Sequence, residues 1–143
     1  IAHNQFKRLN KLKEQRNQNR NTIINHLKSS KNWKNQFKFI DVPKKINPSW
    51  MGLPILLDKK FANKKQKFIN FLDKMKIETR PIISGNFLNH PAAKLYKLDN
   101  RKNVFKNAQE IQNLGFLIGL HTKKISTNQL KILHDCFFKI NQL

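Results

Sequence analysis

Cysteine, glycine and acidic residues are all scarce in this 143-residue sequence. The single cysteine, Cys136, excludes an internal disulfide and favours a reducing, cytoplasmic compartment. The four glycines do not cluster, which excludes a glycine-rich phosphate-binding loop. No run approaches the ~18 apolar residues of a membrane span, and the N-terminus does not have the pattern of a secretory signal. We therefore expect neither a membrane partner nor a secreted disulfide scaffold.

Metal-ligating and catalytic residue patterns are also missing. The histidines lack paired-ligand spacing, so a metal site is not expected. The eight acidic residues are scattered, so no local pair of catalytic carboxylates is predicted. No G-x-S-x-G nucleophile motif occurs. We assign no catalytic residue within this chain.

Positive charge is the strongest compositional feature, with a formal net charge of +21. Its functional interpretation is a basic nucleic-acid-binding module. However, 24 lysines and 5 arginines are spread along the whole chain, whereas such modules combine arginine and exposed aromatic residues in one patch. Asparagine, isoleucine and phenylalanine are also abundant, as expected from coding DNA rich in A and T. Compositional drift is therefore favoured over a nucleic-acid partner, which stays the alternative.

The order of apolar segments predicts an α/β protein, in an α+β arrangement, with a small three-stranded sheet and flanking helices. The strands are expected at "WMGLPILL" (50–57), "KIETRPII" (76–83) and "FLIGL" (116–120). Pro54 argues that the first of them is an edge strand or carries a bulge. A further alternation at Phe37 and Phe39 is typical of a short strand.

Helices are expected before and between these strands. Residues 2–29 form one long helix whose wholly polar middle, 13–21, is expected to be exposed. Further helices are expected at 60–75, 91–96 and 107–115, and a last one is capped by Ser126 or Thr127. A charged loop is expected at 97–104. The chain begins as if within a helix, which suggests a fragment, with 1–30 as a connecting helix and 31–143 as a small C-terminal domain.

Three blocks recur in one order: "WMGLPILL", "IETRPIISGNFLNHP" and "FKNAQEIQNLGFLIGLH". Together they resemble the C-terminal domain of DegT-type sugar-nucleotide enzymes, which are fold-type I pyridoxal-phosphate-dependent aminotransferases and dehydratases. The likeness is greatest to the branch containing 3-dehydratases of 4-keto-6-deoxy sugar nucleotides. That branch often has Asn where this chain has Leu120.

The resemblance implies a cytoplasmic, homodimeric enzyme of surface-polysaccharide biosynthesis with a nucleotide-sugar substrate. It also implies that pyridoxal phosphate is bound mainly by a large N-terminal domain, which carries the catalytic Lys or the His that replaces it. It predicts that the loops of this chain reach the substrate. The predicted substrate-binding residues are Arg80, Ser84, Gly85, Asn86 and His121.

Each of these residues also has a structural interpretation. Arg80 precedes a Ser-Gly-Asn turn whose backbone N–H groups could approach an anion, but it could equally form a surface ion pair or anchor the loop to the large domain. Asn86 could be a helix N-cap, and His121 a packed loop histidine at a domain interface. The sequence leaves these alternatives open.

Overall fold

The computed structural model describes residues 2–96, 98 and 105–143, and the loop expected at 97–104 lies outside this description except for Leu98. Within these ranges the α-helices are α1 (Ala2–Lys7), α2 (Leu9–Lys28), α3 (Lys65–Lys74), α4 (Pro91–Leu95), α5 (Lys106–Leu114) and α6 (Thr127–Phe138). Short 3₁₀ helices cover Lys59–Lys64, Phe87–Asn89 and Lys139–Asn141. The mixed helix-and-sheet class predicted from the sequence is confirmed.

Within the described part of the chain, the sheet has four antiparallel strands, not the three that were predicted. They are β1 (Phe37–Phe39), β2 (Gly52–Leu57), β3 (Thr79–Arg80) and β4 (Gly115–Gly119), in the spatial order β1-β2-β4-β3. The edge assignment of β2 is wrong, because β2 lies between β1 and β4. The pairing of β2 with β1 begins at Ile55, so the side of β2 that faces β1 is unpaired at Pro54. Proline has no backbone N–H to donate, and at an unpaired position this breaks no hydrogen bond of the sheet.

The core lies against one face of the sheet. The side chains of Phe37, Phe68, Phe116 and Phe137 contact one another with ring centroids 5.1 to 6.5 Å apart. Each is at most 2% exposed. These rings come from β1, α3, β4 and α6, so the cluster joins the sheet to two helices. Full burial of a phenylalanine contributes roughly 1.5–3 kcal/mol.

The predicted N-terminal helix is two helices that meet at Arg8, and α2 ends near Ser29 as expected. Phe6 and Leu9 are 74% and 46% exposed, so the first two turns carry an uncovered apolar surface. The polar middle of α2 departs from the prediction, because Asn19 is only 3% exposed. Its amide makes long-range hydrogen bonds that the local sequence does not reveal.

The other predicted helices are present with shifted boundaries. The segment expected at 60–75 begins as a 3₁₀ helix capped by the Asp58 carboxylate, which accepts from Lys60 N–H. Helix α5 begins one residue earlier than predicted and has no side-chain cap. The Ser126 cap of α6 is confirmed: its hydroxyl accepts from Gln129 N–H while its own N–H donates to the Gln129 side chain.

Candidate functional site

Arg80 ends β3, opposite Leu117 of β4. Its Nε and Nη2 both donate to Oε1 of Glu78, at 2.9 and 2.8 Å. The two side chains are 68% and 73% exposed, so this is a surface ion pair of the kind that contributes little to stability. The ion-pair interpretation of Arg80 is therefore realised, and most of the Arg80 side chain stays exposed.

The turn after β3 depends on positive φ angles, with φ of +64° at Ser84 and +50° at Gly85. Its amide groups bind partners within the chain. Gly85 N–H donates to the Ile82 carbonyl at 3.2 Å, and Asn86 N–H donates to Oε1 of Gln112 at 3.1 Å. The expectation that this turn offers these two N–H groups to an anion is therefore corrected, because both already have acceptors.

Asn86 is 6% exposed and caps the 3₁₀ helix that follows it. Its Oδ1 accepts from Leu88 N–H at 3.2 Å, while its Nδ2 donates to Gln109 Oε1 at 3.0 Å. The N-cap interpretation of Asn86 is confirmed. The side chain ties the turn to α5.

His121 is exposed in the loop after β4, and its Nδ1 accepts from Lys123 N–H at 2.9 Å. The backbone of this loop is held by Asn19 of α2. Asn19 Nδ2 donates to the carbonyls of His121 and Lys123, each at 2.8 Å, and its Oδ1 accepts from Ile125 N–H at 3.1 Å. One buried amide thus fixes the loop from more than a hundred residues away in sequence.

The structure separates the predicted site residues into two groups at opposite ends of β4. Arg80 lines a small cleft of about 190 Å³ together with Glu78 and Gly119, which we call the Arg80 cleft. His121 lines a cleft of about 670 Å³ that shares Gly119 and includes Lys123 and Lys124, which we call the His121 cleft. A Cβ added at Gly119 would meet no atom within 4 Å, so the shared rim is open.

Ser84 and Gly85 lie at the other end of the strand, in a cleft of about 210 Å³ with Gln112 and Gly115. Gly115 and Gly119 are the two ends of β4, and four residue steps of an extended strand span about 13 Å. The Ser84–Asn86 turn packs on α5, whereas Arg80 and His121 flank Gly119.

Three contributors to this site were not predicted from the sequence: Asn19, Glu78 and Gly119. Neither Asn19 nor Gly119 gives a local signal, since a polar helix position and a strand glycine have many ordinary roles. Glu78 lies two residues before Arg80, and this spacing on a strand brings two side chains to the same face. The pairing of Glu78 with Arg80 could therefore have been predicted from the sequence.

Two neighbouring side chains are structural. Leu120 is 4% exposed and belongs to the core, so the position at which Asn is expected from the dehydratase-like branch is apolar and buried here. Trp50 packs on the core edge with the Arg20 guanidinium 4.7 Å above its ring.

Across residues 2–96, 98 and 105–143, no cluster of three or more His, Cys, Asp or Glu side chains is arranged to hold a metal ion. The helices described in those ranges include none that is both long and apolar enough to cross a bilayer.

The fold of this chain matches about a third of the length of each of two solved 3-dehydratase structures. It superposes with a TM-score of 0.77 on the E. coli GDP-4-keto-6-deoxy-D-mannose-3-dehydratase with bound hydrated PLP, at 22% identity over 93% of this chain and 32% of that one. It superposes with a TM-score of 0.71 on the GDP-4-keto-6-deoxymannose-3-dehydratase ColD with bound GDP-perosamine, at 24% identity over 93% of this chain and 33% of that one.

Residues 1–136 match the DegT/DnrJ/EryC1/StrS aminotransferase family, and the chain belongs to that family. It is also 30% identical, over 122 residues, to the lipopolysaccharide biosynthesis protein RfbH of Salmonella typhimurium strain LT2. That alignment covers 82% of this chain and 26% of RfbH. The chain thus spans about a quarter to a third of the length of these relatives.

Proposed function

We propose that this chain is the small C-terminal domain of a pyridoxal-phosphate-dependent enzyme that acts on 4-keto-6-deoxy sugar nucleotides in surface-polysaccharide biosynthesis. The reaction is transfer of an amino group or removal of the 3-hydroxyl. The working enzyme is a cytoplasmic homodimer in which residues 1–30 connect this domain to a large domain. The domain binds the nucleotide-sugar substrate, with Arg80 and His121 contacting it directly.

The observation that carries the proposal is the position of Arg80 and His121 on the two sides of the open Gly119 rim. A planar guanidinium donor and a basic loop with Lys123 and Lys124 suit a sugar diphosphate, which presents several anionic oxygens. Family membership over residues 1–136 supports the same substrate class. We also propose that Ser84, Gly85 and Asn86 contribute to substrate binding through the shape of their turn. The N–H groups of Gly85 and Asn86 do not take part, because both already have acceptors within the chain.

The residues that the structure describes do not form an attachment site for the cofactor. Covalent attachment requires a lysine held against a phosphate cup, and the described residues include no glycine-rich cup. Burial lowers the pKa of Lys65, but its Nζ donates to the Gln112 carbonyl at 2.8 Å. The proposal therefore assigns the cofactor and its anchoring residue to the large domain, where Lys indicates transamination and His indicates dehydration.

The test uses the complete polypeptide encoded by the reading frame that contains this chain. Purified protein with pyridoxal phosphate and glutamate should convert GDP-4-keto-6-deoxymannose to a product that has gained an amino group or lost an oxygen, as read by mass spectrometry. Absence of both products with this and other 4-keto-6-deoxy sugar nucleotides would contradict the proposal.

Arg80→Lys separates substrate binding from structure in the same protein. Lysine keeps the charge but loses the planar pair of donors, and a lost charge-assisted hydrogen bond costs roughly 1.5–3 kcal/mol. We expect kcat/KM to fall by about 10- to 150-fold with unchanged cofactor content. A lowered melting temperature with unchanged kcat/KM would instead assign Arg80 to loop anchoring.

A further inference from the structure

We propose that Glu78 is an internal ligand of Arg80 that determines which anions the Arg80 cleft accepts, excluding simple carboxylates and admitting a diphosphate. The inference rests on the proposed substrate-binding role of Arg80. Glu78 is not among the substrate-binding residues predicted from the sequence.

The geometry identifies Glu78 as a competitor for the guanidinium. Both donors of one edge of Arg80, Nε and Nη2, converge on a single Glu78 oxygen, Oε1. An incoming anion that binds this edge must displace that oxygen. Glu78 lines the same cleft, so a displaced carboxylate stays beside the site.

The ion pair is weak enough to be displaced. Its two side chains are 68% and 73% exposed, and exposed pairs of this kind are readily exchanged. The tether nevertheless raises the competitor's local concentration, because Glu78 is two residues from Arg80. A group held by so short a linker competes at an effective concentration on the order of millimolar.

The weakness of the ion pair and the short tether of Glu78 together make the Arg80 cleft select a diphosphate over a monocarboxylate. A free monocarboxylate offers Arg80 the same chemistry as Glu78 but without the tether, so it displaces Glu78 poorly at millimolar concentration. A diphosphate carries more charge and several oxygens, which reach Nη1 as well as the Nε edge. The open rim at Gly119, where a Cβ would contact no atom within 4 Å, gives it room.

The test follows the Arg80 side chain directly, because the 24 lysines of the chain will bind anions elsewhere. The 15N-labelled chain is observed by NMR at its arginine Nε–H signals, and the Arg80 signal is assigned as the one that Arg80→Lys removes. Inorganic diphosphate or sodium acetate is added at constant ionic strength. The variants are Glu78→Gln and, as a matched change of charge, Glu110→Gln on α5, where the carboxylate pairs with Lys59 at 3.4 Å.

In the unmodified chain, diphosphate should shift the Arg80 signal to saturation, and acetate at the same concentration should not. Glu78→Gln should tighten diphosphate binding about two- to fivefold and allow acetate to shift the signal, while Glu110→Gln should resemble the unmodified chain. Equal or weaker diphosphate binding in Glu78→Gln would overturn the inference and leave the proposed function standing. An Arg80 signal that responds to diphosphate in neither protein would instead remove Arg80 from the substrate site.

Discussion

Replacing Asn19 by aspartate tests how the loop after β4 is held. The two side chains have nearly the same shape, but the carboxylate cannot donate hydrogen bonds. The donations from Asn19 Nδ2 to the carbonyls of His121 and Lys123, both at 2.8 Å, are therefore lost. The acceptor bond from Ile125 N–H, at 3.1 Å, is retained.

The expected loss in the free energy of unfolding comes from the two carbonyls that lose their donor. Leaving a buried polar group unsatisfied costs about 1–3 kcal/mol, so two such groups give about 2–6 kcal/mol. Asn19 itself is 3% exposed, but both carbonyls belong to exposed residues, so water offsets part of this cost and the lower end of the range is expected. Against a typical total stability of roughly 5–15 kcal/mol, Asn19→Asp should be severely destabilising.

The assay is urea unfolding followed by circular dichroism and tryptophan fluorescence. The matched control is Asn21→Asp, which makes the same change of charge at an exposed position of the same helix and keeps the acceptor for Arg20 Nη1. Asn21→Asp should change the free energy of unfolding by less than about 0.5 kcal/mol. Because a protonated carboxyl regains one donor, the deficit of Asn19→Asp should be smallest at low pH and grow as pH rises. A difference between the two variants below about 1 kcal/mol at pH 7 would refute this account of Asn19.

The remaining predictions concern two glycines and the cysteine. Gly85→Ala should lower the free energy of unfolding by about 1–3 kcal/mol, because φ is +50° and the added Cβ would lie 2.8 Å from Gln112 Cβ. Gly119→Ala should change the free energy of unfolding by less than about 0.5 kcal/mol, because its added Cβ would meet no atom within 4 Å. Equal melting temperatures for the two variants would contradict this. Burial, with a further contribution from the Asp135 carboxylate, raises the pKa of the Cys136 thiol. Cys136 should therefore react with iodoacetamide at pH 8 only after unfolding in urea, and labelling of the native chain at the unfolded rate would count against its burial.

Much of the fold was predictable because its signals are local. The Ser126 cap and a strand at 116–120, observed at Gly115–Gly119, follow from residue types within a few positions. The extra strand at Phe37–Phe39 was visible as an alternation, but three residues are too few to predict pairing. The position of β2 inside the sheet was not predictable from Pro54, because the side on which a strand is covered depends on partners elsewhere in the chain.

The candidate site was also predictable only in part. The sequence could single out Arg80, Ser84, Gly85, Asn86 and His121 through the resemblance, but it could not tell which of them lie together. That separation results from β4, whose two ends are about 13 Å apart. The backbone N–H and the side-chain amide of Asn86 face α5, where Gln112 and Gln109 supply their acceptors.

By itself, the sequence determined the class of the fold, most helix and strand positions, and the motif blocks that resemble the family. These depend on periodicity and on side chains that act within one or two turns. The tertiary structure decided the strand order, the burial of Asn19, and the placement of Arg80 and His121 in two clefts that both include Gly119. Each of these depends on hydrogen bonds or packing between segments tens of residues apart, such as the 102-residue separation between Asn19 and His121. No local pattern encodes such a contact, because its energy exists only once both segments are folded.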